Sequence, residues 1–238
     1  MANIRVTALR WVPPPFQGQV RDLAVRWALE EAGVAYEENL VGPAEQASGE
    51  HRGRQPFGKI PVYEEDGLVL FESGAIVLHI AERWQLLPRE AQARARALGW
   101  LFAALNSLDP DIIALGDIDH FHARETWAAA RRPAVEASLR GRLAVVDLHL
   151  AGREYLAGEF SAADIMMLMV LRQLRHTTIL ESYLPLRAWR DRCQARPAFQ
   201  RALAAQLAVY ERHAPAASRN QNGSPITNRH ADSSPANR

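Results

Sequence analysis

Gly58-Lys59-Ile60-Pro61-Val62-Tyr63-Glu64-Glu65-Asp66-Gly67-Leu68-Val69-Leu70-Phe71-Glu72-Ser73-Gly74-Ala75-Ile76 decides the architecture of this 238-residue chain. Ile60-Pro61-Val62-Tyr63 and Leu68-Val69-Leu70-Phe71 are two short β-type runs, and the Asp66-Gly67 pair between them favours a tight hairpin turn. Glu72-Ser73 then leads into a helix in which Ile76, Val77, Ile80 and Ala81 recur at helical spacing. A strand that begins with proline is either an edge strand or follows a cis peptide bond in a tight turn. In the second case the Ile60 N–H and C=O turn outward. They can then pair with the backbone of an extended peptide ligand, with Lys59 beside them to meet a carboxylate.

Ser73 stands where a helix begins. Its hydroxyl and the unpaired N–H groups of the first turn serve either as a plain cap or as an anion site. Glu72, just outside the helix, can hold an ammonium. The pair suits an α-amino acid head group, with the carboxylate on the helix start and the amine on Glu72. Eleven residues separate Pro61 from Glu72, and the hairpin brings both motifs to the same end of the sheet.

Towards the N-terminus, residues 42–55 are polar and read as a loop or short irregular helix, and residues 34–41 read as a strand. Val20, Leu23, Ala24, Trp27 and Ala28 form the apolar stripe of a helix over 19–32, which Gly33 stops. Ile4, Val6, Ala8 and Trp11 lie in a first strand that Pro13-Pro14-Pro15 ends, because proline has no N–H for a ladder. The order is β-α-β-loop-β-β-α. It predicts a small mixed sheet with helices on it.

Beyond Pro88 the pattern is helical throughout. Leu98, Leu101, Phe102, Leu105, Leu108 and Ile112 make one stripe, and Val135, Leu139, Leu143, Val146 and Leu150 another. Residues 165–171 are apolar on every side, which predicts a helix at the centre of a bundle. Residues 184–196 and the series Phe199, Leu203, Leu207, Tyr210 supply two more helices. The divisions expected are a mixed domain over 1–83, a linker over 84–91, a helical domain over 92–213 and a disordered tail over 214–238, rich in Pro, Ser, Asn and Gly.

With 28 basic and 27 acidic residues, the chain has no general attraction for nucleic acid or an anionic membrane. The N-terminus lacks an apolar signal core, and the run 165–171 is too short to span a bilayer. A single cysteine, Cys193, permits no disulfide within the chain and fits a reducing compartment. These features predict a soluble, cytoplasmic protein without a nucleic-acid or membrane partner.

Gln55-Pro56-Phe57-Gly58-Lys59-Ile60-Pro61-Val62, the hairpin, and Phe71-Glu72-Ser73-Gly74-Ala75-Ile76 together resemble the glutathione-site signature of the glutathione transferases. Val25-Arg26-Trp27-Ala28-Leu29-Glu30-Glu31-Ala32-Gly33 resembles that family's first helix. Tyr155-Leu156-Ala157-Gly158-Glu159-Phe160-Ser161-Ala162-Ala163-Asp164 resembles its capping box, with Ser161 as N-cap, Asp164 three residues on and Phe160 stapled against Ile165. The likeness spans about residues 4–212. It implies an α/β plus all-α chain, with a thioredoxin-like N-terminal domain followed by an all-helical one, and a homodimer. Ile60, before a cis Pro61, would pair with the cysteinyl unit of glutathione. Glu72 and Ser73 would hold the γ-glutamyl end, and Lys59 a carboxylate, with His51 and Arg52 as lesser candidates. The small apolar electrophile would lie near Trp11, Phe16, Phe102, Leu105 and Asn106. No metal or redox cofactor is implied beyond glutathione as co-substrate.

The family usually places Tyr, Ser or Cys between the first strand and first helix to activate the thiol. Between Ala8 and Ala35 this chain has none of them. Its loop reads Val12-Pro13-Pro14-Pro15-Phe16-Gln17-Gly18-Gln19-Val20-Arg21-Asp22. Gln17 and Gln19 can donate hydrogen bonds, and Arg21 can supply the positive charge that lowers a thiol pKa unless Asp22 neutralises it. The readings are a transferase with an unusual activator, a glutathione-dependent peroxidase, or a non-catalytic interaction module on the same fold. Asp117, Asp119, His120 and His122 match no standard metal spacing. Cys193, among Arg190, Arg192 and Arg196, reads as a structural cysteine.

Overall fold

The computed structural model describes residues 3–216. Its first half is a four-stranded sheet built from β1 (Ile4–Leu9), β2 (Glu37–Val41), β3 (Val62–Glu65) and β4 (Leu68–Phe71), in the order β2-β1-β3-β4. β1 pairs parallel to β2 and antiparallel to β3, and β4 pairs antiparallel to β3. Helix α1 (Asp22–Ala32) is the crossover between the parallel strands. Two short helices, α2 (Pro43–Ala47) and α3 (Gly49–Arg54), fill the polar stretch, and α4 (Ser73–Arg83) follows the hairpin. This is the expected thioredoxin-like arrangement.

Local chemistry sets the element ends. Gly33 caps α1 at φ +66°. Asp66 and Gly67, at φ +46° and +88°, form the two-residue turn that places Glu65 opposite Leu68. β3 starts at Val62, because Pro61 cannot donate to a ladder. β2 starts at Glu37 rather than 34, since the Val34 N–H closes the end of α1 on the Leu29 carbonyl at 3.0 Å. α1 starts at Asp22 rather than 19. The buried Asp22 carboxylate accepts from Arg26 Nε at 2.7 Å and from Gln206 Nε2 at 2.8 Å, which ties the helix start to the end of the chain.

The second half is helical. α5 (Ala91–Ala103) runs through a π-helical turn, Ala104–Leu108, into α6 (Asp109–Phe121). α7 (Thr126–Leu150), α8 (Ala162–Leu171), α9 (Leu184–Gln194) and α10 (Pro197–Arg212) follow. The run Ala91–Phe121 is long and apolar enough by composition to cross a membrane. Here its Ala97, Leu101, Ala104, Leu108, Ile112 and Leu115 are buried in the core. Every residue of α8 is buried, as its all-round apolar sequence predicts.

Ser161 and Asp164 form the expected capping box. Asp164 Oδ2 accepts the Ser161 N–H at 3.0 Å, while Ser161 Oγ accepts from Ala163 at 3.3 Å. Asp164 Oδ1 accepts the Leu156 N–H at 3.0 Å and the Trp189 indole N–H at 2.8 Å, so one carboxylate joins a loop, α8 and α9. Phe160 packs against the core cluster that contains Ile165, with its ring beside Trp27, Tyr155 and the Arg196 guanidinium. The halves share a core: Trp27 of α1 meets Phe199 of α10 with ring centroids 5.0 Å apart, and Arg196 binds Glu31 at 2.6 and 2.8 Å. The expected tail lies outside the described residues from 217 onward.

Candidate functional site

A cavity of about 460 Å³ opens between the halves. Arg21, Gln55, Lys59, Ile60, Pro61, Glu72 and Ser73 form one side, and Leu105, Asn106, Asp109 and Ile113 the other. Arg21, Lys59, Ile60, Pro61, Glu72, Ser73, Leu105 and Asn106 are the candidates from sequence that meet there.

The Ile60–Pro61 peptide is cis. The preceding backbone is held by side chains. Gln46 Nε2 donates to the Gly58 carbonyl at 2.8 Å, the Lys59 N–H donates to Gln55 Oε1 at 3.0 Å, and His51 Nε2 meets the Lys59 carbonyl at 2.7 Å. Among the described residues neither backbone group of Ile60 has a partner. His51 is buried and outside the cavity wall, so it supports the Lys59 backbone instead of offering charge to a ligand. Arg52 is exposed beside Gly58 and also lies outside the wall. Lys59, the chain's only lysine, makes no ion pair among the described residues.

Glu72 is the N-cap of α4 at φ +69° and ψ 114°, an unusual backbone for a non-glycine residue that stores on the order of 1–3 kcal/mol. Ser73 is therefore the first helical residue and not the cap. The residue is only 6 % exposed, and its hydroxyl bonds to none of the described residues. Gly74 allows α4 to approach the π turn, since a Cβ there would meet Leu105 Cδ1 at 2.5 Å. The π turn in turn carries Leu105 and Asn106 into the wall.

Arg21 is paired across the two halves. Its Nη2 donates to Asp109 Oδ2 at 2.5 Å, and Asp109 Oδ1 accepts from Gln173 at 3.1 Å. Asp22, the expected neutraliser, points inward to Arg26 and Gln206 instead. Asp109, Gln55 and Ile113 were not singled out by sequence reasoning. Gln55 lay inside the quoted motif, whereas Asp109 and Ile113 sit among helical residues with no local signal.

Other candidates fall elsewhere. Gln17 Nε2 donates to the Val12 carbonyl at 3.1 Å and Gln19 Nε2 to that of Pro15 at 2.9 Å, so both amides close the loop on itself. Gln17 and Trp11 line a separate cavity of about 200 Å³, and Trp11 packs with Val12, Val209 and Tyr210. Phe16 and Gln19 line a third, of about 190 Å³, with Phe121. Ile113 is common to this third cavity and the largest of these, so the two adjoin. The Phe16 and Phe121 rings stack with centroids 5.9 Å apart. Phe102 is about half exposed on α5 and lines none of the three cavities.

Asp119 is taken by Arg132 at 2.7 and 3.0 Å and by His176 at 3.2 Å, and the Arg132 hydrogen bonds hold its carboxyl below the usual range. No group of three or more His, Cys, Asp or Glu among the described residues is placed to hold a metal ion. Cys193 is fully buried, and burial pushes its thiol well above the ordinary value.

Residues 16–82 match the family model described as Glutathione S-transferase, N-terminal domain. The chain is 35% identical over 213 residues to Glutathione S-transferase 4 of Zea mays, covering 83% of this chain and 92% of that protein. It is 34% identical over 188 residues to Disulfide-bond oxidoreductase YfcG of Escherichia coli (strain K12), covering 74% and 86%. A glutathione transferase structure from Pseudomonas putida, with one glutathione disulfide bound per subunit, matches at TM-score 0.73 and 26% identity over 84% of this chain and 90% of its own. One from Burkholderia graminis, with two glutathione molecules bound per subunit, matches at 0.74 and 27% over 85% and 88%. With that identity extending across nearly all of the maize transferase, on the same two-part fold, the chain belongs to the glutathione S-transferase family.

Proposed function

We propose that this chain is a glutathione transferase that joins the glutathione thiolate to a small apolar electrophile. The cavity carrying the open Ile60 backbone beside Lys59, Glu72, Ser73 and Arg21 is the observation behind this reading. The cysteinyl unit pairs with Ile60 as an added strand would. The γ-glutamyl carboxylate lies on the α4 start and the Ser73 hydroxyl, its ammonium meets Glu72, and Lys59 meets the other carboxylate. The sulfur is left towards Arg21. With the Gln17 and Gln19 amides already spent on carbonyls, Arg21 is the group that favours the thiolate. The electrophile occupies the adjoining apolar cavity beside Phe16, Ile113 and Phe121. The thiolate attacks its electrophilic carbon, forming a C–S bond and expelling a leaving group or delivering electrons to an acceptor that takes a proton. We assign a cytoplasmic homodimer, for which the exposed Phe57, Val69 and Phe71 offer an apolar patch at the β4 edge.

A second reading, reduction of a disulfide or peroxide by glutathione, is favoured by the likeness to the disulfide-bond oxidoreductase. The buried Cys193 gives the protein no accessible thiol, so such chemistry would run between glutathione molecules. The test is glutathione calorimetry together with turnover on chromogenic electrophiles, hydroperoxides and mixed disulfides. Binding with conjugation supports the first reading, and disulfide or peroxide turnover alone supports the second. Binding without any turnover would point to a non-catalytic module, and no binding overturns the proposal.

A further inference from the structure

Helix α8 ends in a 3₁₀ turn, Arg172–Leu174. Arg172 donates from Nε and Nη2 to the Gly18 carbonyl at 3.1 and 3.0 Å, and its guanidinium lies 5.0 Å from the Phe199 ring centroid. Arg175 donates from Nη2 to the Pro15 carbonyl at 2.9 Å and also to that of Gln17. The two guanidiniums flank the same residue: a Cβ on Gly18 would sit 3.2 Å from Arg172 Nη2 and 3.3 Å from Arg175 Nη1. Carbonyl dipoles are the only oxygens they hold, and among the described residues neither has a carboxylate partner.

Several other arginines are neutralised by carboxylates. Arg21, Arg26, Arg132 and Arg196 each hold an acidic side chain. At Arg172, burial, with the neighbouring Arg175 charge added, pushes the guanidinium down to about 10. Both side chains line a cavity of about 300 Å³ together with Thr177, Arg190 and Gln194. Glu181 is the one carboxylate on that wall, and it is shared between Arg187 at 3.3 Å and Arg190 at 3.4 Å. Arg172 Nη1, Arg175 Nε and Arg175 Nη1 donate to none of the described residues. Two neighbouring guanidiniums with spare N–H groups and no carboxylate partner among the described residues are suited to a tetrahedral oxyanion, whose oxygens accept several charge-assisted hydrogen bonds at once.

We propose that the cavity between the Arg172–Leu174 turn and α9 is a second binding site, separate from the one between the domains, for a tetrahedral oxyanion such as sulfate or phosphate. It does not depend on the transferase reading. The test is thermal unfolding and calorimetry of the full chain with sodium sulfate, inorganic phosphate or an alkyl phosphate, against sodium chloride at matched ionic strength. At ten times its dissociation constant, sulfate is expected to raise Tm by roughly 3–5 °C beyond the chloride control. Arg175→Gln is expected to weaken sulfate binding roughly tenfold or more. Gln194→Glu, which leaves the loop contacts in place and sets a carboxylate on the wall, is expected to abolish it. Lys59→Gln should leave it unchanged, which separates this site from the larger cavity. Alkyl phosphate binding as tightly as inorganic phosphate would identify the esterified group as an accepted ligand. The proposal fails if sulfate does no more than chloride, if Gln194→Glu binds it normally, or if Lys59→Gln removes the effect.

Discussion

Removing either end of the Arg21–Asp109 pair should destabilise the fold by a similar amount yet move the bound thiol in opposite directions. The side chains are 25% and 10% exposed, so the bridge lies between a surface pair and a buried one. Losing one partner should cost about 2 kcal/mol, or roughly 4–8 °C in Tm for a chain of this size. Arg21→Ala deletes the cation proposed to face the sulfur. An opposite charge within about 4–6 Å lowers a titrating group by one to three units, and Asp109 offsets part of that field here. The thiol pKa of bound glutathione should therefore rise by roughly one unit, about 1.4 kcal/mol, and kcat/KM at neutral pH should fall about tenfold. Asp109→Asn keeps the guanidinium but removes its counter-charge, so the thiol pKa should fall while Tm still drops. Ultraviolet absorbance of the bound thiolate across a pH titration measures this directly, with S-methylglutathione as the blank. Equal thiol pKa values in the native protein and both variants would reduce Arg21 to an inter-domain clamp and refute the reasoning.

Ser73→Ala should weaken glutathione binding roughly tenfold by calorimetry while leaving Tm nearly unchanged, because the hydroxyl supports no contact within the described residues; a large Tm loss would show a structural role. Asp164→Ala strands the Leu156, Ser161 and Trp189 N–H groups in the core, so chemical denaturation should show a loss of about 3–5 kcal/mol; a loss under 1 kcal/mol, counted about as a surface change, would contradict the network. Burial and then His176 lower the His120 pKa, against the opposing pull of Asp119. The unfolded chain therefore takes up a proton near pH 6.5 that the fold resists, and the resulting stability, full above that pH, declines as pH falls below it. His120→Gln should flatten the decline between about pH 7.5 and 5, and an unchanged slope would exclude this group as its source.

The fold was largely legible because its signals are local. Asp66-Gly67 can form its turn from its own backbone preferences, Gly33 can stop its helix unaided, and Ser161 with Asp164 can close a capping box within four residues. Element starts were less legible. Asp22 begins α1 because Arg26 and Gln206 hold it, and Gln206 lies on the last helix.

The site divides in the same way. The sequence by itself determined the wall that carries Lys59, Ile60, Pro61, Glu72 and Ser73, since one hairpin of fixed length brings those residues together. Only folding decided which side chain of the loop before α1 reaches the cavity between the halves. Gln17 and Gln19 had the right chemistry, but their amides turn to nearby carbonyls, while Arg21 meets a carboxylate 88 positions away on a helix whose register a π turn has shifted. Hydrogen-bond capacity is a property of the residue type. Which partner uses it depends on packing between two halves that the chain brings together only when folded.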